Sequence, residues 1–150
     1  MTQTGRLVIG GDGEIAGIAS IDRGALDDTL IGDGGKLDNQ IQIGDGLSID
    51  DHAAMAGCLG VAGSSRSGRW CTVGVAGMII GHLEPGDDVG ISAGAMVTRN
   101  ASRPGQYKSI SPIEAHSEWL HKAPQIKRLA KLAERVAGLE KKPGLMEKTS

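Results

Sequence analysis

A repeat of six residues runs through most of the first hundred residues of the chain. From residue 31 to residue 97, ten of the twelve repeat positions hold an aliphatic residue or Met, whereas an apolar fraction of 39% would place about five there. A period of six is neither the period of a strand nor that of a helix. It predicts an all-β solenoid of very short strands and tight Gly and Asp turns, in which three sides of six residues make one coil.

The repeat is interrupted in two ways. The same period is present upstream, from Ile9 to Ile21, and its phase changes within the segment DRGALDDTL. Ser67 and Pro85 occupy two of the repeat positions and are predicted to mark loops or corners. Because the chain has no Phe, two Trp and one Tyr, the interior of the coils is predicted to be narrow and filled by aliphatic and small side chains.

The pattern changes after residue 103. The segment SISPIEAHSEWLHKA offers Ser111 as a helix N-cap, Pro112 at the first helical position and Glu114 to complete a capping box. Pro124 is predicted to break or kink this helix. A second helical segment follows, and its short apolar seam is predicted to pack against a partner chain or the solenoid. The seam consists of Leu129, Leu132, Val136 and Leu139.

These patterns predict four parts of the chain. They are a β-helix over 1–103, a linker over 104–111, C-terminal helices over 112–142 and a flexible tail over 143–150.

The charge of the chain is unevenly distributed. Up to residue 111 there are 8 Lys and Arg against 13 Asp and Glu, a net charge of −5, whereas the remaining residues hold 8 against 5, a net charge of +3. The basic end could attract an acidic partner. A patch this weak, without an aromatic platform, does not favour nucleic acid.

Two features of the sequence predict the cellular compartment of the protein. Cys58 and Cys71 lack metal-site spacing and are predicted to be small buried thiols in a reducing environment. The N-terminus has no signal-peptide pattern, and the longest apolar run is far shorter than the roughly 20 residues of a membrane span. A cytoplasmic protein without a transmembrane segment is expected.

The amino-acid sequences of several segments resemble those of one family. SIDRGALDDTLIGDG, LDNQIQIG, MAGCLGVAGS, GRWCTVGVAGMIIGHLE, AMVTR and PGQYKSISP are similar to the UDP-3-O-acylglucosamine N-acyltransferases of lipid A synthesis. The resemblance implies a left-handed parallel β-helix, a homotrimer, and a place in the cytoplasm, peripheral at the inner membrane of a Gram-negative bacterium. It also implies transfer of a hydroxyacyl chain from the phosphopantetheine thioester of acyl carrier protein to the 2-amine of a UDP-sugar, with no bound cofactor.

The chain departs from this family in two respects. Family members carry an N-terminal domain that binds the uridine and several earlier coils, and the resemblance implies that this chain begins partway along the solenoid. The family's catalytic His lies between a small residue and Asn, where this chain has Gly44, Asp45 and Gly46. A carboxylate is a weaker base than an imidazole. Asp45 is therefore either a catalytic carboxylate or a solvated turn residue like Asp33 or Asp87.

Two functions remain open on this basis. One is an N-acyltransferase of the lipid A type, and the alternative is a non-catalytic trimeric scaffold or acyl-binding module that keeps the groove.

The resemblance assigns further site residues. It implies a backbone oxyanion donor at Gly63, a second active-site histidine at His82, and sugar contact and acyl-chain measurement by Gln42 and Met96. Asn39 is also expected to bind substrate. The column formed by every eighteenth residue adds Met78 as a soft wall of the groove beside Met96.

The repeat also predicts distances between site residues. Asp45 and Gly63 are 18 residues apart and should lie on adjacent coils, whereas His82 should lie on the same side about two coils, or roughly 10 Å, from Asp45. His52 should lie in a surface turn on another side. Because His52 and His82 fall on different sides, no histidine cluster suited to a metal ion is expected.

Overall fold

The protein forms a stack of short parallel strands followed by one helix. The computed structural model describes residues 2–109 and 112–140. The chain divides into two compact units, Met1–Ile110 and Ser111–Ser150. The elements are β1 (Leu7–Ile9), β2 (Glu14–Ile15), β3 (Ser20–Ile21), β4 (Thr29–Ile31), β5 (Lys36–Leu37), β6 (Gln42–Ile43), β7 (Ser48–Ile49), β8 (Ala54–Met55), β9 (Gly60–Val61), β10 (Arg66–Ser67), β11 (Thr72–Val73), β12 (Met78–Ile79), β13 (Val89–Ile91), β14 (Met96–Val97), β15 (Gly105–Tyr107) and α1 (His116–Glu140).

The strands form three sheets, one on each side of the coils. The first sheet has the order β1-β4-β7-β10, the second β15-β13-β11-β8-β5-β2, and the third, which we call sheet C, β14-β12-β9-β6-β3. Every pairing is parallel, and from β6 to β14 of sheet C the register is 18 residues, with Gln42 beside Gly60 and Met78 beside Met96. Successive strands lie in different sheets, so the predicted parallel β-solenoid is confirmed.

The first coil is longer than the others. Ser20 pairs with Gln42, a register of 22 residues, so four extra residues are accommodated between β3 and β4. This insertion lies in the segment where the sequence predicts the phase change. Its loop is tied back to the start of the solenoid, because Arg6 pairs with Asp28 at 2.7 Å and Arg23 donates from Nε to the carbonyl of Gly5 at 2.7 Å.

Ser67 does not mark a corner, which corrects the expectation from sequence. It lies in β10 beside Ile49 and is 5% exposed, so it takes an ordinary interior position of the repeat. A hydroxyl is small enough to replace an aliphatic group there, although the Ser67 Oγ has no hydrogen-bond partner among the described residues.

Pro85 is also buried in the coil interior, but sheet pairing stops beside it. Its carbonyl accepts from Gly68, whereas its ring nitrogen has no proton to donate to a neighbouring strand. Beyond this point Val89 pairs with Gly105, a register of 16. Strand β15 therefore lies in the stretch predicted to be a linker, and the solenoid continues past residue 103.

The interior is filled by aliphatic and small residues, as the absence of Phe predicts. No large aromatic ring is among the described buried residues, and each fully buried Leu or Ile contributes roughly 1.5–3 kcal/mol. The core consists of Ile31, Leu37, Ile41, Ile43, Leu47, Ile49, Ala53, Met55, Leu59, Val61, Cys71, Val73, Ile79, Val89, Ile91, Ala95 and Ala101.

The two cysteines differ in environment. Cys71 is buried, and burial raises the pKa of its thiol to about 11. Cys58 is exposed in a turn at φ 58°, so the prediction that it is buried is wrong. The turn position, rather than the apolar character of the residue, decides which way the side chain points.

Helix α1 is continuous from His116 to Glu140 and contains Pro124. The expected break at Pro124 is therefore wrong, because good helix formers on both sides outweigh one missing N–H. The helix also begins later than Pro112, while Ser111 and the tail at 143–150 lie outside the described residues. No helix in the described part of the chain is long and apolar enough to cross a membrane.

No residue of α1 is buried within this chain. The four seam residues are exposed together with other large apolar side chains of the helix. The exposed set is Trp119, Leu120, Ile126, Leu129, Leu132, Val136 and Leu139.

Candidate functional site

A groove of about 600 Å³ runs along the outer face of sheet C. Its floor is one column of outward-facing residues, which includes Gln42, Gly60, Met78 and Met96. Met78 is 46% exposed and Met96 58%. The Met78 sulfur lies 2.9 Å from where a Cβ on Gly60 would stand, so this side chain fills the space that the glycine leaves. The predicted column is confirmed, and its two Met side chains give the groove adaptable apolar walls.

One turn column flanks this groove, and we call it the glycine turn column. It consists of Asp45, Gly63 and Gly81, which follow β6, β9 and β12. The carbonyl of Asp45 accepts from Ser64 at 2.9 Å, and a Cβ on Gly63 would stand 2.7 Å from the Asp45 Oδ1. Asp45 and Gly63 are therefore neighbours on adjacent coils, as the spacing predicts.

The equivalent turns between the first and second sheets form the acidic turn column, which consists of Asp33, Asp51 and Asp87. Each carboxylate accepts a backbone N–H from the preceding coil, at 2.7 Å from Gly11, 3.0 Å from Asp33 and 2.8 Å from Arg69. Asp45 occupies the matching position in its own turn but receives no such bond from the described residues.

The N–H of Gly63 lacks an acceptor among the described residues. In the acidic turn column the acceptor for such a group is the carboxylate one coil further along the chain. For Gly63 that position is Gly81, which has no side chain, so the N–H of Gly63 is left without a hydrogen bond beside the groove. A half-buried free N–H of this kind is the type of donor that stabilises an oxyanion.

His82 lies in the same corner of the solenoid as Asp45. It is exposed at φ 61°, and its backbone N–H is directed at the carbonyl of Gly63 at 3.4 Å. Gly46 and Ser64 occupy the same turn position on the two preceding coils. The predicted separation of about two coils from Asp45 is thus confirmed. None of Asp45, Gly63 and His82 is among the residues that line the groove, although Gly44, Ala62 and Gly81, their neighbours in sequence, do line it.

Asn39 lies at the opposite end of β6 from Asp45. Its side-chain amide donates to the Asp38 carboxylate at 3.0 Å, and it does not line the groove. The structure thus brings Gln42, Met78 and Met96 together, places Asp45, Gly63 and His82 beside them, and leaves Asn39 apart.

His52 lies in a surface turn, as predicted. Its ring stacks on Trp70 of the next coil with ring centroids 4.3 Å apart. Among the described residues, no group of three or more His, Cys, Asp or Glu side chains could hold a metal ion.

Sequence reasoning missed the charged residue of the groove lining. Asp22 lines it at the end of β3, directly beside Gly44. A strict period of 18 does not align Asp22 with this column, because the insertion of four residues shifts its partner to 22 positions away. The phase change in the repeat is the signal that could have revealed it.

No protein-family model matches the chain. Curated relatives do match it: the chain is 51% identical over 139 residues to the UDP-3-O-acylglucosamine N-acyltransferase of Janthinobacterium sp. (strain Marseille). The corresponding identities are 50% for the protein of Herminiimonas arsenicoxydans and 48% for that of Bordetella pertussis. The resemblance to the UDP-3-O-acylglucosamine N-acyltransferases is confirmed.

The matched segment is a much larger share of this chain than of its relatives. The match includes 93% of this chain but only 40% of the Janthinobacterium acyltransferase and 38% of the Bordetella pertussis protein. The chain therefore spans about two fifths of the length of the UDP-3-O-acylglucosamine N-acyltransferases that it matches.

Among solved structures, mutants of perosamine N-acetyltransferase from Caulobacter crescentus, in complex with CoA and GDP-perosamine, resemble the chain with a TM-score of 0.66. The sequence identity is 16%, and the match covers 76% of this chain and 53% of that one. This likeness supports the solenoid fold.

Proposed function

We propose that this chain carries the acyl-transfer part of a UDP-3-O-acylglucosamine N-acyltransferase of lipid A biosynthesis. The hydroxyacyl donor would be the phosphopantetheine thioester of acyl carrier protein, and the acceptor the 2-amine of the sugar. The observation that carries the proposal is the groove on sheet C, where Gln42, Met78 and Met96 lie in one column in a chain about half identical to these enzymes.

The reaction needs few protein groups. The amine nitrogen attacks the thioester carbon and forms a C–N bond, the C–S bond breaks, and the proton released by the amine ends on the departing thiol. The free N–H of Gly63 is suited to stabilise the oxyanion of the intermediate, and Met78 and Met96 would border the acyl chain. Asp45 would take the place of the proton acceptor, with His82 in the same corner two coils away.

A second candidate function is an acyl-binding scaffold without catalysis. It is favoured by one observation, which is that the residue at the general-base position is a carboxylate that does not line the groove.

Both candidates involve the same partners. The exposed apolar face of α1 needs cover, and we propose that it is buried between copies of this chain in a homotrimer. Sedimentation should give three chain masses of 15.5 kDa, and a stable monomer at micromolar concentration would contradict the trimer.

The basic end of the chain suits an acidic partner such as acyl carrier protein, and the site of action would be the cytoplasm.

Replacement of Asp45 distinguishes the two functions. If the weak base limits the reaction, Asp45→His should raise acyl transfer from acyl carrier protein to the sugar amine at least about tenfold, since a general base contributes about 10²–10⁴-fold. Addition of Gly46→Asn should raise it further, because this restores the turn found in the family. Transfer is measured as amide product at high donor and acceptor concentrations.

Asp45→Asn is the matched control, because it keeps the shape of the side chain and removes its basicity. If Asp45→His stays at the uncatalysed rate while an acyl-phosphopantetheine analogue still shifts the methyl signals of Met78 and Met96, the scaffold function is preferred. If the analogue shifts neither Met at saturation, the groove does not bind an acyl chain and both candidates fail.

A further inference from the structure

The groove on sheet C has one titratable side chain in its lining, among the described residues, and that side chain is Asp22. The other lining residues are apolar, small or uncharged, so the carboxylate is the dominant local charge for any ligand in the groove.

The position of Asp22 follows from the register of the first coil. Ile21 pairs with Ile43, and the N–H of Asp22 donates to the carbonyl of Ile43 at 2.9 Å. The next positions along the same column are Gly44 and Ala62, which carry no more than a methyl group. Asp22 is exposed, and it lines the groove.

The cations nearest in sequence are held elsewhere. Arg23 donates to the carbonyl of Gly5, and Arg6 forms its ion pair with Asp28. The Asp22 carboxylate makes no hydrogen bond and no ion pair with any residue in the described part of the chain. It is therefore available to a cationic group of a ligand.

We propose that Asp22 binds the amine of the acceptor sugar, in its ammonium form, at the end of the groove beside Gly44. The inference rests on the proposed acyl transfer and adds to it a determinant for an amine rather than a hydroxyl acceptor. A carboxylate attracts an ammonium group, whereas it offers a neutral hydroxyl or amide no comparable charge interaction. Asp22 thus positions the ammonium nitrogen, which loses one proton to solvent before it attacks; the residue at 45 is left to accept the second proton, released as the C–N bond forms, and to pass it to the departing thiol.

The experiment compares a cationic sugar with a neutral one. Glucosamine and N-acetylglucosamine are titrated separately at pH 6.5 and low salt into the wild-type protein, Asp22→Asn and Asp22→Glu, and binding is followed at the methyl signals of Met78 and Met96. Asp88→Asn is the matched control, because it removes the same charge from an exposed turn far from the groove lining.

Asp22→Asn should weaken glucosamine binding about three- to fivefold and leave N-acetylglucosamine unchanged, since exposed ion pairs are modest. The difference should shrink as salt is added. Asp22→Glu should keep the preference for glucosamine, and Asp88→Asn should behave as wild type. Equal affinities for both sugars in wild type, or the same loss in Asp88→Asn, would overturn the role of Asp22.

The acyl-phosphopantetheine analogue separates this inference from the proposed function. If the analogue shifts both Met signals in wild type and Asp22→Asn while the sugars show no dependence on residue 22, only the Asp22 inference fails. If the analogue binds to neither protein, the proposed function fails and the inference fails with it.

Discussion

The two turn columns of the solenoid have the same backbone path but different hydrogen bonding. In the acidic turn column, the carboxylates of Asp33, Asp51 and Asp87 each accept a backbone N–H from the preceding coil. In the glycine turn column, the positions that would supply those carboxylates are Gly63 and Gly81, and the N–H of Gly63 stays free beside the groove. The three bonded turns of the acidic turn column contribute to stability, whereas the open donor at Gly63 can contribute to chemistry.

The largest expected effect comes from converting the glycine turn column into an acidic one. Gly81→Asp places a carboxylate where it can accept the N–H of Gly63, so an oxyanion donor would be lost. In an Asp45→His background, transfer should fall about 10²-fold, as for other oxyanion donors, and exchange of the Gly63 amide proton should slow.

Gly81→Ala is the control for this conversion. Its Cβ would stand 3.1 Å from the Gly63 carbonyl oxygen, so it adds similar crowding without an acceptor. If both variants lose the same activity, crowding rather than the hydrogen bond is responsible.

A second substitution tests how closely the glycine turn column is packed. In Gly63→Ala the new Cβ would lie 2.7 Å from the Oδ1 and 2.8 Å from the carbonyl oxygen of Asp45, and the backbone oxygen cannot swing away. The free energy of unfolding should fall by about 2 kcal/mol, measured by urea denaturation. Gly138→Ala, whose Cβ would meet nothing within 4 Å, should cause no loss.

A third pair of substitutions compares the two kinds of turn directly. Asp51→Ala removes the acceptor for the N–H of Asp33 and should lower the free energy of unfolding by about 1–1.5 kcal/mol. Asp45→Ala should change it by less than about 0.5 kcal/mol, because no hydrogen bond to its carboxylate is lost. Equal losses in the two variants, by thermal or chemical unfolding, would show that the columns do not differ in this way.

The smallest expected effect concerns the loop that precedes the glycine turn column. The Arg6 guanidinium, by hydrogen bonding and by its charge, holds the pKa of Asp28 below its ordinary value of 3.8. The ion pair should therefore stabilise the fold slightly above that pH and cease to do so as the pH falls through the lowered value. The difference in unfolding free energy between wild type and Asp28→Asn should be constant near neutrality and vanish in strong acid.

The repeat predicted the columns of the solenoid well, because a parallel stack has a register set by coil length. It placed Asp45 beside Gly63 and Met78 beside Met96 without any structural information. It failed where the coil length changes, and so missed Asp22 and the strand at 105–107.

Other errors have local causes. Residue type suggested that Cys58 is buried, but the turn position turns it outward. Pro124 suggested two helices, although one lost hydrogen bond is a small cost in 25 residues of good helix formers. The free N–H of Gly63 follows from the glycine at 81, but this could be recognised only after the structure had shown that a turn carboxylate accepts the N–H one coil before it.

The stacked pair of His52 and Trp70 provides an optical reporter within the solenoid. The chain has two tryptophans, and one lies in each compact unit, Trp70 in the first and Trp119 in the second. The indole of Trp70 touches an imidazole on the neighbouring coil, so its fluorescence should respond when those two coils separate. With Trp119→Phe, emission would follow the opening of the solenoid alone, and with Trp70→Phe it would follow the helix.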